Sequence, residues 1–477
     1  MAQAVFPDDV LPPEGVYESR ASLLAAINAW AKPRGYAFTT GKSTKTPNGR
    51  VRVVFACDRN KQPPSASVER KRRTSSRMTG CKFSVLAKES LHGASWVLSH
   101  RTGQEYSQHN HPPSQDPSAH PAHRSLSSED RSTVASLTAA CIGPKEIRSY
   151  LRQNSDAIPT QQDIYNCIAE SKRRLYEGQS TIHALANQLD EEGFWCRLQL
   201  SPEGRVTAIL FAHPESLAYL QAYPDLLFLD CTYKTNKYGM PLLDMIGVDA
   251  CQRSFCIAFA FLSGETEEDY IWALDRLRSM YETCGTRLPS VILTDRCLAC
   301  LNAVSHCFPS AISLLCLWHA NKAVLRYCQP AFVRHQQGSE AQQQGLRDWN
   351  EFFSHWHAII GSPDEETFDQ CVQEMMREYL PQYVNELGYI KTTWLDLYKE
   401  KLVKAWVDQH LHFRSVVTSR VEGIHALLKS YLKKSTLDLF EAWRAMKQAL
   451  LNQLAELRYN QAKQQMRIPI ELSGPTI

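Results

Sequence analysis

Two aspartates stand at the ends of apolar runs, and their carboxylates are the first candidates for chemistry in this chain. Asp230 closes the run in "DLLFLDCTY", and Asp295 closes the run in "SVILTDR". Short runs of large apolar residues are typical of buried strands, so each carboxylate is predicted where a central strand finishes. A single acid at a strand end is commonly a turn residue, whereas several acids brought together would indicate a site.

A third acid, Glu422, lies in the segment "VVTSRVEGIHALLKSYL". Thr418 or Ser419 can cap a helix here, and apolar residues recur at helical spacing from Val421 to Leu432. Glu422 then falls in the first turn, beside the buried stripe, where it could reach a site on a sheet. Carboxylates that meet repel one another unless a divalent cation neutralises them. Two Mg²⁺ ions about 4 Å apart would activate a nucleophile and stabilise a leaving oxygen in phosphoryl transfer.

Two cysteines and two histidines form a second candidate site. The pattern is C-x23-C-x27-H-x-H, made by Cys57, Cys81, His109 and His111. Two thiolates and two imidazoles make a tetrahedral zinc site, and a small β module with little core of its own would gain stability from the metal. The alternative is two ordinary buried cysteines beside a histidine-rich linker.

Basic residues concentrate between positions 41 and 77. This segment has eleven Lys and Arg against two acids, although the net charge of the whole chain is only +3. Such a concentration favours a polyanion partner over the alternative, a solvated basic loop. The predicted DNA-binding residues are Arg70, Lys71, Arg72, Arg73 and Arg77. The run "ERKRR" at 69–73 would also serve as a nuclear import signal, which predicts a location in the nucleus.

The elements around the acids follow a specific order. Three apolar strands succeed one another between 225 and 262, with links short enough for antiparallel pairing. A helix, a fourth strand ending at Asp295, a helix, a fifth strand "AISLLC" and another helix follow. This is the order of an RNase H-like domain, in which the first and fourth strands lie side by side. Asp230 and Asp295 are therefore predicted to lie within metal-bridging distance.

Composition and pattern divide the rest of the chain. The predicted fold class is multidomain α+β and α/β: a small β-rich zinc finger, a helical linker domain, and an RNase H-like catalytic core interrupted by an α-helical insertion. Two short helices between 140 and 175 are interpreted as a helix-turn-helix or simply as a small helical bundle. The predicted boundaries are 15–112 for the zinc-binding, DNA-binding domain, 113–130 for a linker rich in Pro, Ser and His, 131–192 for the helical domain, 193–335 for the first part of the core, 336–412 for the insertion and 413–465 for the final core helices.

Length and composition limit the class of protein. A chain of 477 residues suggests roughly two to four domains, and its 43% hydrophobic and 22% charged residues are ordinary for a globular protein. No apolar run approaches the roughly 18 residues of a membrane span, and the first residues lack the pattern of a signal peptide. An intracellular location is therefore expected. Fifteen cysteines are then expected to be thiols and metal ligands rather than a disulfide framework.

The N-terminal part resembles a known type of DNA-binding domain. The segments "RGYAFTTGKSTK", "FACDRNK", "GCKFSVLA" and "HNHPPS" are similar to the far-red impaired response type of WRKY/GCM-like zinc finger. The resemblance implies a β-sheet that presents one strand to the DNA major groove.

Residues from about 194 to 450 resemble the transposases of Mutator-like elements (MULE). The matching pieces are "FLDCTYKTN", "SGETEEDYIWAL", "VILTDR", "CLWH" and "TSRVEGIHALLK". The resemblance implies that Asp230, Asp295 and Glu422 form the DDE triad of the family and hold Mg²⁺ or Mn²⁺. Cys316 and His319 match its C-x2-H motif, as half of a metal site or as polar residues near the site, and no metal is assigned to them.

Other candidates have weaker support. Asp244 and Asp249 flank the second strand, and Asp249 is expected to end it in a turn. Cys297 and Cys300 fall in a helical pattern with no second pair nearby, which favours buried thiols. Glu400 is the rival for the third acid, but its setting, "LYKEKLVKAW", is typical of a solvated face.

The resemblance implies a DNA transposase of the Mutator-like class, a DDE enzyme. The finger would bind terminal inverted repeats, and the acids would cleave DNA and join 3′-OH ends to target DNA. The expected cofactors are structural Zn²⁺ and catalytic Mg²⁺ or Mn²⁺. Double-stranded DNA and further copies of the chain are the expected partners, without a membrane. The alternatives are a domesticated transposase that regulates transcription without catalysis, and an RNase H-like nuclease acting on RNA, which the DNA-binding type of finger disfavours.

Overall fold

The computed structural model describes residues 11–47, 49–63, 76–90, 95–176, 178–333, 339–410, 412 and 419–466. The chain divides into two compact units, Met1–Leu175 and Tyr176–Ile477. Both combine strands and helices, which confirms the prediction of a multidomain protein of mixed α and β structure.

The first unit begins with a β-sheet and ends with helices. Its strands are β1 (Gly15–Tyr17), β2 (Phe38–Lys45), β3 (Val51–Cys57), β4 (Ser84–Glu89) and β5 (Trp96–Ser99). Its helices are α1 (Arg20–Ala31), α2 (Ser128–Ala139), α3 (Pro144–Asn154) and α4 (Gln161–Tyr176). Within the described residues the sheet is antiparallel and its strand order is β1-β5-β4-β3-β2.

Helix α1 supplies one side of the core of this sheet. Ser19 and Ser22 form a capping box at its start, and Leu23 and Ile27 are buried with the inward-facing residues of β3 and β4. Cys57, the last residue of β3, belongs to this buried cluster as well. The alternation of β3 therefore carries a thiol into the core where the strand ends.

The segment 113–130 has more structure than its composition predicts for a linker. It contains two short 3-10 helices, Pro117–Ala119 and Pro121–Arg124. Between them His120 is fully buried, with Nδ1 2.9 Å from Oδ2 of Asp58, and Nε2 of His123 lies 2.8 Å from the carbonyl oxygen of Tyr36. Buried polar groups need such partners, so the segment packs against the sheet instead of spacing two domains.

Helices α2, α3 and α4 share a small apolar core. Its buried members are Leu126, Val134, Ile147, Leu151, Ile164 and Cys167. Pro144 at the first position of α3 and the acids Glu129 and Asp130 in the first turn of α2 favour the starts of these helices. The predicted helical character of this region is confirmed.

The second unit is built on a larger sheet. Its strands are β6 (Trp195–Leu200), β7 (Val206–Ala212), β8 (Leu226–Thr232), β9 (Leu242–Val248), β10 (Ser254–Phe261), β11 (Val291–Thr294) and β12 (Ile312–Leu315). Its helices are α5 (Thr181–Glu191), α6 (Pro214–Ala222), α7 (Glu267–Thr283), α8 (Leu298–Cys307), α9 (Leu317–Val333), α10 (Ser339–Ile360), α11 (Glu365–Tyr379), α12 (Val384–Ile390), α13 (Asp396–Leu402), α14 (Lys404–Val407), α15 (Ser419–Leu432) and α16 (Leu439–Gln465).

The strand order of this sheet, within the described residues, is β12-β11-β8-β9-β10-β7-β6. Strands β8, β9 and β10 pair antiparallel, as their short links predict, and β6 and β7 form an antiparallel hairpin. Strand β11 lies parallel to β8 and to β12. The predicted neighbourhood of the first and fourth central strands is therefore confirmed.

The two strand-end acids leave this sheet at the same edge. Leu229 of β8 is the partner of Thr294 of β11; the next residue after Leu229 is Asp230, within β8, and the next after Thr294 is Asp295, which directly follows β11. The prediction that Asp230 ends its strand is wrong by two residues, because β8 continues to Thr232 through its pairing with β9.

Helices α10 to α14, which include a π-helical turn at Lys391–Leu395, share a core with α9 and with buried residues of α8 and β12. Large aromatic residues dominate it, among them Trp349, Phe352, Trp356 and Trp394. Helix α15 then contacts β8 and β10, and α16 contacts α5, α15 and β10. The chain thus returns to the sheet after the insertion.

None of the described helices is both long enough and apolar enough to cross a membrane.

Replacing Trp356 by Ala is expected to lower the free energy of unfolding of the second unit by about 3–5 kcal/mol, the usual cost of a large cavity. Its indole is fully buried and donates a hydrogen bond to Oδ1 of Asn321 over 2.8 Å. Urea titration followed by circular dichroism measures the change. Leu397→Ala, at a position that is 65% exposed, should alter stability by less than about 0.5 kcal/mol. Equal losses in both variants would contradict this account of the core.

Candidate metal centres

Two carboxylates face each other across the paired strands β8 and β9. Asp230 is directly opposite Asp244 in the register of this pair, and only 8% of Asp230 and none of Asp244 is exposed. Opposite residues in a sheet point to the same face. Two like charges are therefore held close together in a buried position, which is unfavourable unless positive charge compensates them.

Helix α15 brings a glutamate and a histidine to these acids. Glu422 and His425 are three residues apart and so lie on one side of the helix. The Nε2 atom of His425 lies 2.7 Å from Oδ2 of Asp244, and its Nδ1 atom lies 3.8 Å from Oδ2 of Asp230. Asp230, Glu422 and His425 each offer one ligand atom, and these atoms lie within 4.8 Å of one another. These three residues are called the acid–histidine cluster below.

Asp295 approaches the acid–histidine cluster from the neighbouring strand. It directly follows β11, and its Oδ1 atom accepts a hydrogen bond of 3.2 Å from the backbone N–H of Cys297. Its negative charge contributes to a raised pKa of Asp230, but Asp295 is not part of the group within 4.8 Å. Of the predicted triad, the structure thus places Asp230 and Glu422 in closest contact, with Asp295 beside them.

Burial and mutual repulsion raise the pKa values of the acids. Burial raises the pKa of Asp230 to about 7, and Asp295, Asp244 and Glu422 add to the effect while His425 opposes it. Burial also raises the pKa of Asp244 and of Asp295. Burial by itself lowers the pKa of His425, but the neighbouring carboxylates outweigh this and the net shift is upward. Protons therefore compensate the charge when no cation does.

The acid–histidine cluster fits a divalent cation. Neither carboxylate oxygen of Asp244 has a hydrogen bond of ordinary geometry within the described residues, so negative charge is left over behind the cluster. Carboxylate oxygens are the ligands that Mg²⁺ and Mn²⁺ prefer. Asp230 and Glu422 can hold such a cation, and Asp295 is placed to share it or to hold a second one.

The Cys316–His319 pair lies at the start of α9. The sulfur of Cys316 accepts a hydrogen bond of 3.3 Å from the backbone N–H of His319. The first backbone N–H groups of a helix have no acceptor within the helix, and Cys316 provides one for His319. Burial lowers the pKa of the His319 imidazole, while the charges of Asp295 and Glu422 act to raise it. His319 is therefore close enough to Asp295 and Glu422 to interact with their charges, whereas Cys316 accepts a hydrogen bond at the start of the helix that carries it.

Sequence reasoning missed the contribution of Asp244 and His425. A polar residue inside the run "PLLDMIGV" was the available hint for Asp244, and spacing of three residues from Glu422 was the hint for His425. The other weaker candidates lie elsewhere: Asp249 forms a turn with Arg253, and Glu400 is exposed. The buried Cys300 lies in α8, as expected of a core thiol.

The second candidate centre is formed by the four predicted zinc ligands. Their ligand atoms lie within 4.8 Å of one another, and all four residues are buried: Cys57, Cys81, His109 and His111. Sγ of Cys57 is 3.2 Å from Nε2 of His111, and Sγ of Cys81 is 3.5 Å from Nδ1 of His109. Tetrahedral zinc with ordinary bond lengths places sulfur and nitrogen ligands about 3.5 Å apart, so the set fits zinc.

Surrounding groups orient these ligands. Nδ1 of His111 lies 3.0 Å from the carbonyl oxygen of Pro112, and the ring of Tyr36 stacks on His109 with centroids 3.8 Å apart. Such contacts fix the ring so that the other nitrogen faces the metal. The hydrogen bond between the two thiols lowers the pKa of Cys81 and raises the pKa of Cys57, so one thiolate is favoured in the free site and the proton of the other thiol would be released when zinc binds.

The predicted DNA-binding residues are described only in part. Arg70, Lys71, Arg72 and Arg73 lie outside the described residues. Arg77 is described, and its Nη1 atom donates a hydrogen bond of 2.6 Å to Oδ2 of Asp58. This carboxylate also contacts the buried His120, so Arg77 and His120 meet at the same carboxylate and Arg77 helps to hold the segment 113–130 in place.

The segment around the acids matches a known family. Residues 226–323, from β8 into α9, match the family described as the MULE transposase domain. The match includes Asp230, Asp295, Cys316 and His319, while Glu422 lies beyond it.

Curated relatives match longer parts of the chain. It is 24% identical over 472 residues to Protein FAR1-RELATED SEQUENCE 5 of Arabidopsis thaliana, which covers 94% of this chain and 55% of that protein. It is 28% identical over 183 residues to Protein FAR1-RELATED SEQUENCE 6 of the same plant, 38% of this chain and 24% of that protein. It is 30% identical over 314 residues to PKS-NRPS hybrid synthetase cheA of Chaetomium globosum, 64% of this chain and 7% of that protein. The chain thus spans about half of FAR1-RELATED SEQUENCE 5 and a small fraction of the synthetase.

The zinc centre predicts the metal content of the protein. The wild-type chain should contain one zinc ion, and Cys81→Ala should lose it together with the fold of the first unit, because a structural metal supplies folding free energy. Elemental analysis and thermal unfolding measure both effects. Cys167→Ala removes another buried thiol of the same unit and should keep the zinc. Zinc retained in Cys81→Ala would contradict the assignment.

The raised pKa of Asp230 predicts a pH dependence of stability. Without Mg²⁺ or Mn²⁺, the folded state holds a proton on Asp230 that the unfolded chain, with an ordinary carboxyl pKa, releases near pH 4. Stability should therefore fall as pH rises, by about 2–3 kcal/mol between pH 5 and pH 8 from this group. Urea titrations at both pH values should show the fall in wild type and in the exposed control Glu400→Gln, but a smaller fall in Asp230→Asn. An unchanged slope in Asp230→Asn would refute this.

Proposed function

We propose that this chain, which contains a MULE transposase domain, is a DNA transposase of the Mutator-like class. It would bind terminal inverted repeats, cleave DNA strands and join the 3′ ends to target DNA. The observation that carries the proposal is the meeting of Asp230 and Glu422, from strand β8 and the distant helix α15, next to Asp295. Three acids in this order along the chain agree with the DDE triad of Mutator-like transposases.

The arrangement of strands supports an RNase H-like core. Three antiparallel strands, β8, β9 and β10, are followed by β11 and β12, which run parallel to β8. The two aspartates come from the adjacent parallel strands, and the glutamate comes from a helix that contacts β8. The sheet therefore gives the acids fixed positions, as a site for in-line phosphoryl transfer requires.

In this proposal Asp230, Asp295 and Glu422 hold divalent cations at the sheet edge. Bound cations would stabilise the charge on the attacking and leaving oxygens of the phosphodiester. Asp230 is buried, whereas Asp295 and Glu422 are half-buried, so the charge of Asp230 in particular would act strongly on a bound cation. His319, whose pKa is influenced by the charges of Asp295 and Glu422, would add a hydrogen-bonding group close to the bound phosphate.

The loop after β8 supports a nucleic acid substrate. It follows Asp230 within a few residues, and Lys234, Lys237 and Tyr238 are exposed on it. The ammonium group of Lys237 lies 5.1 Å from the ring centre of Tyr238. Lysines contact phosphates, and exposed aromatic rings stack on unpaired bases. A DNA strand that enters the site would meet these groups first.

The zinc module supports specific DNA binding. Strand β2 is an edge strand, and from Thr39 to Lys45 all of its residues are exposed. A twisted pair of strands fits the major groove, and Lys42 and Lys45 give β2 the positive charge that phosphates attract. A nuclear location and assembly of several copies on paired DNA ends belong to the same proposal.

Asp230→Asn is expected to abolish cleavage and strand transfer, because it removes the acid that lies closest to the others. The assay uses purified full chain, Mg²⁺ or Mn²⁺, and duplex DNA from the genomic flanks of the coding sequence. DNA binding, measured by fluorescence anisotropy, should stay within about twofold because the finger is untouched. Glu400→Gln, at an exposed acid outside the site, should cleave like wild type.

Cleavage that persists in Asp230→Asn would sink the catalytic assignment. A wild-type chain that binds the flanking DNA but never cleaves it would favour the domesticated DNA-binding regulator instead.

A further inference from the structure

Asp244 is a buried acid that the proposed triad does not use. It is fully buried in the middle of β9, and neither of its oxygens has a hydrogen bond of ordinary geometry within the described residues. The group that approaches it is the imidazole of His425, with Nε2 2.7 Å from Oδ2. A carboxylate in such a position is unfavourable unless it serves a charged partner.

The contact with Asp244 determines how His425 presents its ring. With Nε2 directed to Asp244, the other nitrogen, Nδ1, is on the side of Asp230, 3.8 Å from its Oδ2 atom. His425 also lies within the group of ligand atoms that spans 4.8 Å with Asp230 and Glu422. A carboxylate behind one ring nitrogen and a candidate metal position in front of the other is the usual arrangement around metal-binding histidines.

We propose that His425 is a nitrogen ligand of the divalent cation held by Asp230 and Glu422, and that Asp244 is the positioning residue that orients its ring. This rests on the proposed function, in which the acids bind a cation. Imidazole nitrogen suits transition metals better than Mg²⁺ or Ca²⁺, whereas carboxylate oxygens accept all of them. The nitrogen ligand should therefore raise the affinity of the site for a transition metal such as Mn²⁺ more than its affinity for Mg²⁺, compared with a site made of carboxylates alone.

A different role for His425 leads to a different result. As a protonated counter-ion it would neutralise Asp230 and Asp244 in place of a metal, and it would have to leave when a cation enters. In that case no nitrogen would be bonded to the cation.

The test is pulsed electron paramagnetic resonance of Mn²⁺ bound to the zinc-loaded full chain. Wild type should show the magnetic coupling of a directly bound imidazole ¹⁴N, and labelling histidine with ¹⁵N should change it accordingly. His425→Gln should lose the coupling while still binding Mn²⁺ through Asp230 and Glu422. His319→Gln is the matched control, because the charges of Asp295 and Glu422 act on His319 as well although it lies outside the acid–histidine cluster, and this variant should keep the coupling.

A second readout tests the positioning role. Asp244→Asn should weaken Mn²⁺ binding about 10- to 100-fold, the usual effect of removing a carboxylate behind a histidine ligand, and should weaken Mg²⁺ binding less. Equal losses for both ions would overturn the proposed role of Asp244.

Different results would overturn the ligand role of His425 and the proposed function. Mn²⁺ that binds without nitrogen coupling, or with coupling lost in His319→Gln instead, overturns the role of His425 and leaves the proposed function standing. Mn²⁺ binding that is the same in wild type and in Asp230→Asn removes the cation from the acids and overturns both.

Discussion

The second unit depends on one physical constraint, which is negative charge buried beside the C-terminal ends of the neighbouring strands β8 and β11. Asp230 and Asp244 face each other across β8 and β9, and Asp295 follows the neighbouring strand. Backbone pairing holds these carboxylates where solvation is poor, and burial raises the pKa of each one. The negative charge of these carboxylates must therefore be compensated by His425, by bound protons or by a cation.

Helix α15 comes from a distant part of the chain and places two ionisable side chains next to these carboxylates. It carries both a further acid, Glu422, and the imidazole that contacts Asp244. The helices α10 to α14 share a core around Trp356 and Trp394 with residues of α8, α9 and β12, so the long segment between α9 and α15 packs against the β12 side of the sheet instead of forming a loose loop. The site is complete only when α15 returns to the sheet and contacts β8. Folding of the insertion and assembly of the site are thus linked.

The sequence predicts those parts of the site that depend on strand order and on residue type. Asp230 and Asp295 could be placed side by side because apolar runs identify strands and the order of elements identifies their neighbours. Cys57, Cys81, His109 and His111 could be proposed as zinc ligands from their residue types and spacing near a basic segment, and the structure brings them together. The antiparallel pairing of β8, β9 and β10 could be predicted because the links between these apolar runs are short.

What the sequence does not predict depends on distant contacts. Asp244 lies within an apolar run, and nothing local reveals that it is opposite Asp230 or that His425 approaches it. His120 and His123 belong to a segment whose composition is that of a linker, yet their contacts with Asp58 and Tyr36 hold it against the sheet. Arg77 has the charge expected of a DNA-binding residue, but its contact with Asp58 depends on the same packing. Contacts between polar residues that are far apart in the sequence produce no periodic pattern in that sequence, so they could not be predicted from it.

The central claim is that the acids of this sheet edge bind a divalent cation. A crystal structure of the chain grown with Mn²⁺, with diffraction recorded near the manganese absorption edge, tests it most directly. The account predicts an anomalous peak between Asp230 and Glu422, with a ring nitrogen of His425 bound to it and Asp244 still behind that ring. An empty edge with His425 bridging Asp230 and Asp244, in crystals that contain Mn²⁺ elsewhere, would contradict it.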